Sequence, residues 1–348
     1  MIDAGYEFEN ENFVNETFPE RPVDDSAADV TQRSNTFFIQ DQLRLLGGRL
    51  QMSAGFRAQF FSLQSPRFTP APAAPYQGAS FKAPPSAYTG DGSLAYYFRQ
   101  TGTKIRGHVG NGYRAPSLFE RFGTSFGSFG YSVFGDPSLR PDRSIAFDAG
   151  VDQTLFNGRL RASATYFYTR LQEVIIFDFS GAINPLTDPF GRFGGYRNTA
   201  GGLARGLELG AALAPASSLD LTLAYTYTNA DQRQPIVPGI IRSFAIPNHL
   251  FSIVATQHLG RGILINLDLT ASSDYLAPIF DPLTFASRAY RFGGTVKTDT
   301  AISYRRPLSE FKGIRFYAKV GNFLNRKYFE SGFRTPGATA VAGVQFEF

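Results

Sequence analysis

Apolar and polar residues alternate with a period of two along most of this chain. Leu219, Leu221, Leu223, Tyr225 and Tyr227 are interleaved with Asp220, Thr222, Ala224, Thr226 and Thr228, so an extended backbone here carries one greasy face and one polar face. The same alternation returns at 160–169, 263–270 and 314–320. Followed through the whole chain, it predicts fourteen strands near 3–13, 34–45, 50–62, 87–98, 103–113, 142–155, 159–176, 203–213, 219–228, 248–258, 262–272, 296–304, 314–321 and 338–348. Short connections such as 46–49, 99–102, 156–158, 215–218 and 259–261 take turns with long loops, roughly 16 to 28 residues by the same periodicity. A meander with all its long loops at one end has the signature of a transmembrane antiparallel up-and-down β-barrel, whereas a soluble sandwich mixes loop lengths at both ends. Proline, which cannot donate to a central ladder, supports the map: of 21, all but Pro215 and Pro307 fall in the long loops, and those two in short turns.

Composition excludes the other large classes. Aromatic residues reach 15%, with 35 Phe, 17 Tyr and no Trp, beside 35 Gly and 21 Pro, a mixture suited to strands and turns. No apolar stretch approaches the roughly 20 residues of a spanning helix, and mean hydropathy is −0.16. Cysteine is absent, which removes disulfides, thiolate metal sites and cysteine nucleophiles. His108, His249 and His258 are too scattered to form a metal cluster by spacing. The net charge of +5 is spread without a basic block, so no nucleic-acid footprint is expected. Met1-Ile2-Asp3-Ala4-Gly5 carries acid where an export signal would carry base, so no leader is expected here.

Four segments and the terminus carry a resemblance. They are Gly112-Tyr113-Arg114-Ala115-Pro116-Ser117-Leu118-Phe119-Glu120-Arg121-Phe122, Asp136-Pro137-Ser138-Leu139-Arg140-Pro141-Asp142, Ala204-Arg205-Gly206-Leu207-Glu208-Leu209 and Val320-Gly321-Asn322-Phe323-Leu324-Asn325-Arg326-Lys327-Tyr328. Over about residue 90 to its end the chain resembles the TonB-dependent outer-membrane receptors. Ala342, Val344, Phe346 and Phe348 resemble the terminal strand read by the outer-membrane assembly machinery, while Ala338 stands where the family often has Arg after Pro-Gly. The resemblance implies a barrel of 22 strands in the outer-membrane lipid, filled by an N-terminal plug that a TonB box couples to the protein TonB. Neither plug nor box is legible, so residues 1–348 are expected to be the C-terminal part of such a barrel, from a longer receptor.

Arg114, Pro116, Glu208, Asn322, Asn325, Tyr328 and Phe348 are read as structural markers of the barrel, since proline ends a strand and Asn caps loose backbone groups. Ligand contact is sought in the long loops: Arg192, Tyr196, Arg197, Arg242 and Tyr275 are the candidates, because guanidinium groups suit anionic chelates and aromatic faces suit flat ones. Asp24, Asp25 and Asp29 could hold a hard cation, but lack EF-hand spacing and read as a solvated acidic loop. Gly107-His108-Val109-Gly110-Asn111-Gly112 is followed by no helix, so it is not a phosphate loop, and His108 reads as a lumen-facing strand residue. Neither a Gly-x-Ser-x-Gly elbow nor a His-Glu-x-x-His element is present. The expected function is uptake of a scarce nutrient, a ferric siderophore, cobalamin or another chelate, with no cofactor and no enzymatic activity. A self-contained diffusion channel is the alternative, and an outer-membrane hydrolase a further rival.

Overall fold

The computed structural model describes residues 1–17, 26–69, 76, 80–127, 130–179, 181–284, 286–309, 312–330 and 332–347. One antiparallel sheet runs through fourteen strands in strictly sequential order. They are β1 (Ile2–Thr17), β2 (Ser26–Leu45), β3 (Leu50–Leu63), β4 (Ala87–Phe98), β5 (Thr103–Arg114), β6 (Asp142–Leu155), β7 (Leu160–Asp178), β8 (Gly202–Ala216), β9 (Leu219–Gln232), β10 (His249–Leu259), β11 (Ile263–Ser272), β12 (Val296–Pro307), β13 (Gly313–Gly321) and β14 (Thr339–Glu347). Each expected strand is present. The main differences are at the long-loop ends, where β1 and β2 extend past the alternating segments and pair as far as Thr17 with Ser26.

The register carries one apolar face across the sheet. Tyr6 pairs with Phe37, Ile39 with Phe56, Met52 with Leu94, Ile105 with Val151, Tyr166 with Leu207, Leu209 with Tyr225, Ile265 with Ile302 and Ile314 with Phe346. Many of these side chains stay open to the surroundings: Phe56, Ile105 and Leu94 are 50–52% exposed and Phe346 60%. A water-soluble sheet would bury such a face, and a band of this extent marks a contact surface. The other face is polar. There Arg106 reaches Asp148 at 3.6 Å and Asp152 at 3.2 Å, His108 reaches Asp148 at 3.3 Å, and Arg57 reaches Glu7 at 3.2 Å. His108 thus stands among ion pairs on the polar face, as its place in the alternation requires.

Several short turns are made by left-handed residues. Asn157 and Gly158 between β6 and β7 have φ of 56° and 86°, a conformation that Asn and Gly adopt at low cost. Two prolines sit differently from expectation. Pro215 lies inside β8 at the register shift between Leu213 and Ala216, and Pro307 is the last residue of β12, opposite Gly313. Both positions demand no ladder donor from proline, which is why a strand tolerates them. Asp29, assigned by periodicity to the first loop, belongs to β2, while Asp24 and Asp25 lie outside the described residues.

The long loops carry local structure of their own. A one-turn helix α1 (Leu118–Phe122) follows β5, a ribbon pairs Tyr275–Asp281 with Ala286–Phe292, and another pairs Thr124–Gly127 with Gly130–Val133. Over the long-loop end of β1 to β3 the inner face turns apolar: Val30, Tyr76, Leu118, Phe122 and Val133 form a small core, joined by Phe13, Leu63, Phe68, Phe81 and Phe190. The loops are therefore packed against the scaffold there instead of standing free.

Candidate functional site

The cap formed by these loops is organised around arginines, some exposed and some buried. Arg114, the last residue of β5, donates to both carboxylate oxygens of Glu120 at 2.8 and 3.0 Å and to Asp142 at 2.7 Å. Pro116 ends the strand, Ser117 caps α1, and Ser117 with Glu120 completes a reciprocal capping box. Two of the four family-like segments are thereby tied to each other, since Arg114 and Glu120 come from the first and Asp142 from the second.

Arg192 occupies the centre of the cap and its side chain is 4% exposed. Its Nε donates to Asp188 at 3.2 Å, Nη1 to the carbonyls of Tyr196 at 2.8 Å and Gly135 at 3.3 Å, and Nη2 to Asp136 at 3.0 Å and Asp188 at 2.9 Å. A guanidinium has five N–H donors, so this one is saturated. Burial works to raise the Asp188 carboxyl, but hydrogen bonds from the Arg192 side chain and from the Arg192 and Phe190 backbone outweigh it and hold that carboxyl below its ordinary value. Arg197 donates to Asp178 at 2.5 Å, and Tyr196 packs edge-on against Phe177 at 4.9 Å and Phe119 at 6.0 Å. The structure thus brings Arg192, Tyr196 and Arg197 into one cluster.

Arg242 and Tyr275 form a second cluster. The Arg242 guanidinium donates to the Asp274 carboxylate at 2.9 Å and to the Asp274 carbonyl at 2.6 Å. Next to it, Tyr275 stacks on Phe292 at 5.3 Å and donates its hydroxyl to the Phe329 carbonyl at 3.1 Å. That contact joins the loop after β11 to the loop after β13.

Sequence reasoning missed Arg121. It is 2% exposed, donates from Nη2 to the carbonyls of Lys82 at 2.6 Å and Pro137 at 3.2 Å, and lies 5.0 Å from the Phe122 ring centroid. Burial pushes its guanidinium down to about 10, so it is still charged at neutral pH. It lines a cavity of about 320 Å³ with Phe81, Lys82, Arg140 and Phe190. The signal available was helical spacing at Leu118 and Phe122, which marks α1 as packed on one side without showing that a charge would follow it inward.

Of the remaining markers, Asn322 and Asn325 hold backbone through their side chains. Asn322, 4% exposed with φ of 50°, donates from Nδ2 to the carbonyls of Arg326 at 2.9 Å and Pro336 at 3.2 Å and accepts from the Arg326 N–H at 3.0 Å. Asn325 accepts from the Ala338 N–H at 3.0 Å, which aims the chain into β14, and the Tyr328 carbonyl accepts from the Thr335 N–H at 3.0 Å. Glu208 stands on the polar face of β8 between Thr165 and Thr226, and Phe348 lies outside the described residues. Asp29 is engaged by Asn12 and Arg67. Among the described residues no group of three or more His, Asp or Glu side chains is placed to hold a metal ion.

Residues 2–323 match the family model described as TonB dependent receptor-like, beta-barrel. The chain belongs to that family. Family membership, together with the relatives below, places it in the bacterial outer membrane. A curated relative, the ferrichrome outer membrane transporter/phage receptor of Escherichia coli (strain K12), is 26% identical over 165 residues, 47% of this chain and 21% of the relative. Among solved structures, the siderophore receptor PirA from Acinetobacter baumannii superposes with a TM-score of 0.66 at 13% identity, covering all of this chain and 55% of PirA. The ferric-catecholate import receptor Fiu from E. coli K12 gives 0.65 at 13% identity, covering all of this chain and 51% of Fiu. The chain spans about half the length of these two receptors and about a fifth of the curated relative.

Proposed function

We propose that this chain forms barrel wall and outer loops of a TonB-dependent receptor that imports a ferric siderophore or a similar metal chelate, and that it performs no enzymatic step. The observation that carries this reading is the family match over 2–323 on a sheet whose apolar face is continuous and whose loops cap one end. Relatives named for ferrichrome transport and ferric-catecholate import support the substrate class. The apolar face meets lipid, because strands satisfy their backbone groups within the sheet and expose only side chains to hydrocarbon. The long loops face outward. In this arrangement Tyr196, Arg197, Arg242 and Tyr275 present charge and aromatic surface to an anionic chelate, while the saturated Arg192 positions the Tyr196 and Arg197 segment. TonB acts through a receptor segment outside this barrel portion.

Growth under iron limitation tests the proposal. A receptor-deficient strain carrying the complete gene is expected to grow on at least one of a panel of ferric chelates, or to take up cobalamin, and to lose that growth when tonB is deleted. Uptake that persists without TonB would instead make the protein a diffusion channel.

A further inference from the structure

Three arginines interrupt the apolar face at its long-loop end: Arg143 on β6, Arg170 on β7 and Arg205 on β8, which are adjacent strands. Arg170 pairs with Ile145 on one side and Leu203 on the other, so Arg143 and Arg205 are each its diagonal neighbour on the same face. Diagonal positions lie about 7–8 Å apart, within reach of guanidinium groups on flexible stems that converge on a single anion. All three are exposed. The acids around them are committed elsewhere or stand alone: Glu173, opposite Arg143, pairs with Arg140, Asp142 pairs with Arg114, and Asp231, opposite Leu203 on this face, makes no ion pair among the described residues.

Their height is informative. From Leu160 at the short turn to Arg170 is ten residues of β7, which at about 3.4 Å per residue and a tilt of about 40° rises about 25 Å, the thickness of a barrel's apolar band. Immediately below them lie aromatic rings, Phe147 stacked on Tyr168 at 5.0 Å, with Tyr166 beside them. Apolar residues, then aromatics, then arginines is the order expected where hydrocarbon gives way to headgroups. Three like charges side by side repel unless an anion sits among them, and the chemistry available at that depth is phosphate.

We propose that Arg143, Arg170 and Arg205 form a docking surface for the phosphorylated headgroup of a membrane lipid in the leaflet on the long-loop side. This rests on the reading that the apolar face lies in the bilayer. The arginines supply forked donors to the phosphate oxygens, and the aromatic and aliphatic residues below them lie along the acyl chains.

Native mass spectrometry of the protein extracted from outer membranes in a non-ionic detergent tests it. Wild type is expected to retain phosphorylated lipid through washing, whereas the triple variant Arg143→Gln, Arg170→Gln, Arg205→Gln holds it roughly a hundredfold more weakly. The corresponding triple Lys variant keeps most of the lipid, which separates loss of charge from loss of fold. Glutamine at Arg99, Arg159 and Arg261, in the turns of the opposite rim, removes equal charge and leaves retention unchanged. Equal retention by wild type and the first variant, no retained lipid in wild type, or equal loss in the rim control overturns the inference. Displacement by millimolar inorganic phosphate overturns it in favour of a free-anion site. Failure of the wild type to fractionate with membranes overturns the bilayer reading, and this inference with it, before any lipid is counted.

Discussion

Arg192 shows why single residues in the cap carry more consequence than their position in a loop suggests. Replacing it by Ala strands two carboxylates, Asp136 and Asp188, the latter 7% exposed, and removal of one partner from a buried pair costs about 3–5 kcal/mol. Residues 181–200 of Arg192→Ala are therefore expected to lose hydrogen-exchange protection while the strands of the sheet keep theirs. The cap is also pH-dependent. Because the Asp188 carboxyl is held below its unfolded value, its contribution is present in full above about pH 4 and fades as pH falls through the lower folded value. Exchange in 181–200, corrected for intrinsic rates, should rise as pH falls below about 4 in wild type and change little in Asp188→Asn. The candidate site was only partly legible at this scale. Loop arginines and tyrosines could be picked out by chemistry, but that Arg192 is saturated and Arg121 buried depends on which carbonyls and carboxylates from distant segments meet them. No local pattern encodes that.

The strands were legible because alternation is local and repeats along each of them. What it could not show is where a strand continues past the alternating segment, as β2 does through Ala27–Val30, or where a loop makes its own short elements, as Leu118–Phe122 does. Short elements are set by packing, not by a run of pattern. Facing is the part of the reading most open to test. Leu223 pairs with Ala211 and Ile253 in mid-face, so Leu223→Arg should cost about 2–4 kcal/mol in refolding into lipid, and Leu267→Arg likewise. Thr222→Arg, one residue away on the polar face, should cost far less; equal costs would mean the faces are misassigned. Gly206 is a different kind of constraint. It lies opposite Phe167, whose ring covers it, and a Cβ there would sit 1.9 Å from the Tyr227 carbonyl oxygen and 2.7 Å from that ring. Gly206→Val is therefore expected to break pairing between β8 and β9, read as lost hydrogen-exchange protection along Gly202–Gln232.

At the scale of the whole molecule, the alternation of short and long connections predicts an orientation with the long loops outward. With no native cysteine, Gln234→Cys in the loop after β9 should react with an impermeant maleimide on intact cells, and Ser217→Cys in a short turn should react only after lysis. The reverse pattern would turn the protein over in the membrane. The strictly sequential strand order has a further consequence, for how such a sheet can change in size. Along the path of the fourteen strands each ladder joins neighbours in sequence, so none of the fourteen threads between two others, and closing even a long loop costs only about 0.6 kcal/mol more per doubling of its length. Two consecutive strands with one turn and one loop are thus a removable cassette. Excising them leaves the flanking strands still antiparallel and their short and long ends still on the proper sides, while excising one strand inverts everything that follows. A lineage built this way can grow or shrink by hairpins, and in steps of two.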